Sequence, residues 1–363
     1  MAKKSPQKKV TKKTAAKKPT KTARPQKKYY KLSQFKDRIK VFLARRPHRS
    51  FRQTKRRDYK RSLKLPGYFS FTWYVFSSLN KRKKTYLLLL LLSSLTTMML
   101  VGVGSQENFE ILSGILRDTG TSIFEGGWGD VGKAGLLLAT GITGNFSSQL
   151  TEVQQVFAVF IGLLTWLALV WLLRAQLAGQ TPRLRDALYN SGAPIVSTTL
   201  LFLLLLLQAL PAAIAIIAYT AAVSTGFLSS GVVAMVFFLV VFLSVVLSLY
   251  LVTSTFLALV VVTLPGMYPW RALRTAGDLV VGRRLRILLR LIWMAVTIAI
   301  LWILAMIPIV LLASWLQNTF TQIASVPIVP ACLVVASSAA TIFAAAYVYL
   351  LYRKVVDDDS APA

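Results

Sequence analysis

The sequence predicts an all-α integral membrane protein with six transmembrane helices, cytoplasmic interfacial helices and a disordered basic N-terminal tail. Three observations carry this. Of the 43 Lys and Arg residues, 30 lie at or before Lys84 beside only Asp37 and Asp58, so this stretch holds +28 of the +30 net charge. Beyond it, apolar runs recur that exceed the roughly 18 residues needed to cross a hydrocarbon core about 30 Å thick. Between Val153 and Tyr352 the only acidic residues are Asp186 and Asp278, and every Lys and Arg there falls near a break between runs.

The tail, residues 1–64, opens with Lys, Thr, Ala, Pro and Gln and almost no large apolar side chains to about residue 28. Such a composition cannot bury enough surface to offset chain entropy, which predicts disorder. From Tyr30 to Arg46, Leu32, Phe35, Ile39 and Phe42 recur at helical steps among cations. This is the pattern of a basic amphipathic helix suited to an anionic membrane surface. Pro66 and Gly67 interrupt the chain before the aromatic cluster Tyr68, Phe69, Phe71, Trp73, Tyr74 and Phe76, which Lys81, Arg82, Lys83 and Lys84 follow. Rings at headgroup depth with cations on the water side predict an interfacial helix over 65–85.

Six spans follow, within 86–352. They are placed near 86–103, 153–173, 195–219, 232–264, 288–315 and 330–352, with an extracytoplasmic loop at 105–152 and a short C-terminus at 353–363. The tail, the 174–194 break, the 265–290 break and the C-terminus are rich in Lys and Arg, whereas the three alternating loops hold only Arg117 and Lys133. Cations near span ends resist translocation, so both termini are expected in the cytoplasm. The fourth span is over-long for an upright helix, which predicts tilt or an interfacial extension. Pro211 and Pro308 each remove a backbone donor inside a span and predict kinks.

Both central cytoplasmic breaks carry one word: Ala187, Leu188, Ser191 and Gly192 in the first, and Ala272, Leu273, Ala276 and Gly277 in the second, 85 residues on. Leu184, Leu188 and Ser191 share one helical face, as do Leu273, Ala276 and Val280, leaving Arg185 and Asp186, or Arg271, Arg274 and Asp278, toward water. Thr181 with Pro182, and Pro269, supply helix starts. Together with the aromatic stretch, this predicts three units, each an interfacial helix followed by a two-helix hairpin.

The run from Ala272 to Arg284, Ala-Leu-Arg-Thr-Ala-Gly-Asp-Leu-Val-Val-Gly-Arg-Arg, resembles a pattern in bacterial polytopic families. These include the membrane domain attached to some glycerophosphodiester phosphodiesterases, and related six-helix proteins of unassigned role. The likeness covers about 90 residues from the fourth span onward. It implies architecture, not activity, because the phosphodiesterase domain and its metal-binding carboxylates and histidines have no counterpart here.

Chemistry is sparse. The only histidine, His48, sits in the tail, and the single Cys332 excludes an intramolecular disulfide or a cysteine metal cage. The carboxylates of 105–152 are scattered among glycines, and Asn145-Phe146-Ser147 is a glycosylation sequon relevant only in a secretory pathway. No span core holds an ionisable group, which argues against energised ion transport. Gln208, Ser244, Ser248, Ser254 and Thr255 are expected to make helix-to-helix hydrogen bonds. No catalytic residue, metal site or cofactor is predicted.

The candidate contacts to lipid headgroups or other phosphates are Lys81, Arg82, Lys83, Lys84, Arg271, Arg274, Arg283, Arg284 and Arg286. The expected partners are membrane lipids of the anionic inner leaflet, with nucleic acid or other membrane proteins as alternatives. Lys near an anionic leaflet gains about 1 kcal/mol, and the same charge neutralises nucleic-acid phosphates. A tail of about 60 residues reaches on the order of 45 Å. Three functions follow: a non-enzymatic inner-membrane scaffold or lipid-related component, a transporter or permease subunit working between kinked helices, and a membrane tether for nucleic acid.

Overall fold

The computed structural model describes residues 65–102, 151–225, 231–319 and 327–360, and among them every regular element is a helix. The predicted tail helix at 30–46 and the outer loop at 105–152 lie outside the described residues, apart from the loop's last two positions. In chain order the helices are α1 (Tyr68–Asn80), α2 (Lys83–Leu100), α3 (Glu152–Leu177), α4 (Leu184–Ser191), α5 (Ile195–Ser224), α6 (Gly231–Val261), α7 (Pro269–Val280), α8 (Arg284–Thr319) and α9 (Ile328–Ser360).

Five of these, α3, α5, α6, α8 and α9, are long and apolar enough to cross a membrane. The first predicted span corresponds to α2, which has 18 residues and opens on Lys83 and Lys84. The structure thus gives five candidate crossings where the sequence predicts six. The aromatic helix also ends earlier than expected. It stops at Asn80, Lys81 and Arg82 form a turn, and Lys83 and Lys84 belong to α2. The fourth span stops at Val261 because the amides of Thr263 and Leu264 bond only three residues back, to the carbonyls of Val260 and Val261. At 31 residues it still measures about 46 Å, well beyond a hydrocarbon core.

Local sequence accounts for the helix limits. Thr151 and Gln154 form a reciprocal capping box at the start of α3, and Glu152 and Arg174 lie at the ends where the helix dipole favours their charges. Pro269 opens α7, its fixed φ suiting the first helical position. At the first break the helix begins at Leu184, after Pro182 instead of on it. Gly282, at φ +78°, makes the left-handed turn that separates α7 from α8.

The three short helices are built alike. In α1, α4 and α7 the fourth and eighth residues are buried: Phe71 and Val75, Ala187 and Ser191, Ala272 and Ala276. The first residues of α4 and α7, Leu184 and Pro269, stand 85 residues apart, the same offset as the repeated word. The expected inward faces hold at Ser191, Ala276 and Val280, which are buried, and at Leu184 and Leu273, which pack half-buried against the core; the departure is at Leu188. Ala187 and Ala272 face the bundle, while Leu188 is exposed and Leu273 half-buried. Small side chains there let the helix lie close to its neighbours, and the leucines move to the margin.

The first and third units correspond further. From the start of the short helix to the start of the long one is 15 residues in each, from 68 to 83 and from 269 to 284. Tyr86, Leu89 and Ser93 of α2 are buried, and so are Ile287, Arg290 and Met294 of α8, each pair 201 residues apart.

Each unit is thus an elbow (α1, α4 or α7), an outgoing helix (α2, α5 or α8) and a returning helix (α3, α6 or α9), with the two long helices side by side. Each elbow and its outgoing helix also touch the returning helix of the preceding unit: α4 and α5 touch α3, and α7 and α8 touch α6. The arrangement closes on itself, because α1 and α2 touch α9, the last returning helix. The returning helices meet one another, α9 touching both α3 and α6.

The main core therefore gathers where the returning helices end and the elbows lie. It includes Leu167–Leu173 of α3, Leu257–Val261 of α6 and Ala345–Leu351 of α9, closed by Phe71, Ala276 and Ile287. A small second cluster, Met306 and Ala313 against Val329 and Leu333, ties α8 to α9 at the other end. In the most apolar stretches of α3 and α9, 44% of residues are buried, against 11% in α5 and 6% in α6 and α8. The outer faces of the last three are apolar and bare.

Candidate functional site: a groove at the basic elbow end

Every Lys and Arg among the described residues lies on an elbow, in the connections beside it, in the first two turns of α2 or α8, or in the last turns of α3 and α9. The far ends of the long helices carry none. The candidate phosphate contacts identified from sequence therefore share one end of the molecule, but they differ in setting. Lys81, Lys83, Lys84, Arg271, Arg274 and Arg286 are exposed and Arg82 is half-buried. Arg283 is not on the surface: it is 2% exposed and its Nε donates to the Leu279 carbonyl, which satisfies the end of α7. Arg284 is half-buried, its guanidinium 3.6 Å from the centre of the Tyr250 ring on α6.

Arg290 is a buried cation at this end that the sequence reading does not single out. It is 7% exposed, and its two terminal nitrogens donate to the carbonyls of Pro66 and Gly67 while its charge lies 4.1 Å from the centre of the Tyr68 ring. It clasps the entrance of α1. Trp293, one turn on, donates through Nε1 to Thr72 at 3.1 Å and stacks edge-on against Phe69. Phe71 meets Tyr347 of α9 edge to face at 4.8 Å. At the other end of α1, Gln176 of α3 donates to the Ser78 carbonyl and accepts from the Tyr86 hydroxyl, and Arg82 donates to the Gln180 carbonyl. The turn that carries Lys83 and Lys84 is thus fixed from α3, and α1 from α3, α8 and α9.

The fixed turn forms one side of a groove of about 940 Å³ between α1, α2 and α9. Its walls are Trp73 and Phe76 of α1, Leu87 and Leu90 of α2, and Ile342 and Phe343 of α9. Ser77, Asn80, Lys83 and Lys84 form its polar rim. Trp73 is 76% and Leu87 56% exposed, so the groove opens sideways. A site with apolar walls and a few polar groups at one edge suits an amphipathic ligand. Its volume is at the upper end of the roughly 300–1,000 Å³ that ligand pockets span.

A smaller cavity of about 380 Å³ lies between α3, the start of α5 and the α6–α7 connection. Arg174 reaches across it and donates to the carbonyl and hydroxyl of Thr263, so its charge is spent on fixing that connection. The predicted kink positions lie where long helices meet. Pro211 stands inside α5, where the Ala212 amide donates to Ser248 of α6 at 3.0 Å and Thr255 donates to Gln208 at 2.6 Å. Pro308 stands inside α8 between Met306 and Ala313 of the small cluster with α9. Among the described residues no group of His, Cys, Asp and Glu could hold a metal ion.

The fold and groove define a helical membrane protein with three repeated elbow units. Comparison with protein-family models, with curated proteins and with solved structures finds no match. These comparisons give no family support for the likeness expected over about 90 residues from the fourth span onward.

Proposed function

We propose that this chain is a non-enzymatic six-crossing protein of the cytoplasmic membrane, a scaffold or lipid-related component that gathers anionic phospholipid of the inner leaflet at its elbow end. The observation that carries the reading is the concentration of all described cations at one end, beside exposed rings on every elbow: Trp73 of α1, Tyr189 of α4 and Trp270 of α7. Rings at headgroup depth with cations around them match a membrane interface, and cations retained on one side match the cytoplasmic leaflet.

The sixth crossing is α2. Its start meets the end of α3 through Tyr86 and Gln176, and its end reaches the start of α3, where a side-chain carbon placed on Gly102 would lie 3.8 Å from Gln154 Nε2. Contacts at both ends of α2 with the two ends of α3 support its crossing alongside α3, and with it both termini in the cytoplasm.

Reconstitution of the full chain into nanodiscs of mixed phosphatidylglycerol and phosphatidylcholine tests the reading. Lipid exchange should show phosphatidylglycerol enriched around the protein, and raising salt should weaken the enrichment. Equal sampling of both lipids would contradict it.

A further inference from the structure

Resting on that reading, we infer that the groove between α1, α2 and α9 is a defined binding site for one anionic phospholipid, with its phosphate on Lys83 and Lys84 and an acyl chain against Leu87, Leu90 and Phe343. The general attraction of the elbow end does not require such a site. The geometry does.

The argument is a comparison inside the molecule. Lys83 and Arg284 are the first residues of α2 and α8 and hold the same position in their units. Each stands where an outgoing helix passes the preceding unit's returning helix. In the third unit the protein covers this charge itself, since Arg284 lies on the Tyr250 ring of α6 and its Nη1 is buried with no hydrogen-bond acceptor. In the first unit the facing helix is α9, where Ala339, Ile342 and Phe343 stand back and leave the groove open. Among the described residues, neither Lys83 nor Lys84 has a hydrogen-bond or ion-pair partner there. An external anion supplies what Tyr250 supplies in the other unit.

The shape selects a lipid over a small anion. From Lys83 to Leu90 the helix descends about 10 Å, which takes the groove from headgroup depth into hydrocarbon. Its wall beyond the lysines is formed by apolar side chains, so the occupant must carry a negative head and an apolar chain. Trp73 at the mouth places an amphipathic ring beside the glycerol level. The sideways opening lets a lipid enter from the leaflet.

Native mass spectrometry of the full chain, released from detergent after washing with phosphatidylglycerol or phosphatidylcholine present, tests the assignment. The wild type should retain one phosphatidylglycerol per chain. Lys83→Ala combined with Lys84→Ala should lower the affinity about thirtyfold. Ala339→Trp, which fills the groove without changing charge, should also abolish retention. Arg271→Ala combined with Arg274→Ala, an equal loss of charge at the third elbow, should leave it unchanged. Retention unaffected by the lysine pair and by Ala339→Trp would overturn the site. So would equal losses from the lysine and arginine pairs, which would leave the bulk enrichment around the protein standing as diffuse attraction. Full retention of phosphatidylcholine would overturn it as well, and loss of the bound lipid on deleting residues 1–64 would assign the lipid to the tail.

Discussion

The two ends of the bundle solve different problems with similar apolar residues. At the elbow end Leu167, Leu257 and Tyr347 are almost fully buried, and polar links from Arg290, Gln176 and Arg174 hold the elbows in place. Along the outer faces of α5, α6 and α8, Leu207, Leu243 and Leu304 are more than half exposed. In water such faces would be an aggregation liability; in a bilayer lipid covers them, and apolar burial gives no preference for protein over lipid. The difference teaches that stability here is concentrated where the chain leaves the hydrocarbon, because there the buried polar links to the elbows add to close packing, whereas the mid-span links from Ser248 and Gln208 join only α5 and α6.

Substitutions can break this contrast. The largest effect is expected from Phe71→Ala, which opens a cavity beneath α1 and should cost about 3–5 kcal/mol by unfolding in detergent, whereas Leu243→Ala on the bare face should cost less than about 1 kcal/mol. Equal losses at the two positions would erase the distinction. Next comes Arg290→Met, which keeps the stem but leaves the Pro66 and Gly67 carbonyls without this donor. We expect a loss of about 2–3 kcal/mol, with hydrogen exchange accelerated in α1 before the rest of the bundle. Gln176→Leu removes the link between α1, α2 and α3 and should cost about 1–2 kcal/mol. The smallest effect should come from Ser248→Ala, which frees the Ala212 amide next to Pro211 and should cost about 0.6 kcal/mol, the usual worth of a helix-to-helix hydrogen bond in a membrane.

The sequence makes the long helices and their breaks legible because hydrocarbon thickness sets a minimum run length and cations mark the ends. Pro269 and the word shared by 187–192 and 272–277 mark two elbows in the sequence itself. Facing is harder to read. Helices such as α5 and α6 are apolar all round, so nothing in their residues says that Leu257–Val261 is buried while Val232–Leu247 is largely exposed. That difference arises only when three returning helices converge. The same holds for Arg283 and Arg290, which look like other loop arginines but turn inward because helix α7 needs its end satisfied and α1 needs its entrance held. The groove is legible in sequence only through its near side, the rings Trp73 and Phe76 and the rim residues Lys83 and Lys84. Its wall on α9 lies more than 250 residues away in the chain, and no local pattern joins the two.

The most direct test of the account concerns the side on which the basic elbow end resides. With Cys332→Ala as background, single cysteines at Arg274 and Gly231 can be probed in spheroplasts with a membrane-impermeant thiol reagent. The account predicts that Gly231→Cys labels from outside and that Arg274→Cys labels only after permeabilisation. Labelling of both from the same side, or of Arg274→Cys alone from outside, would contradict it.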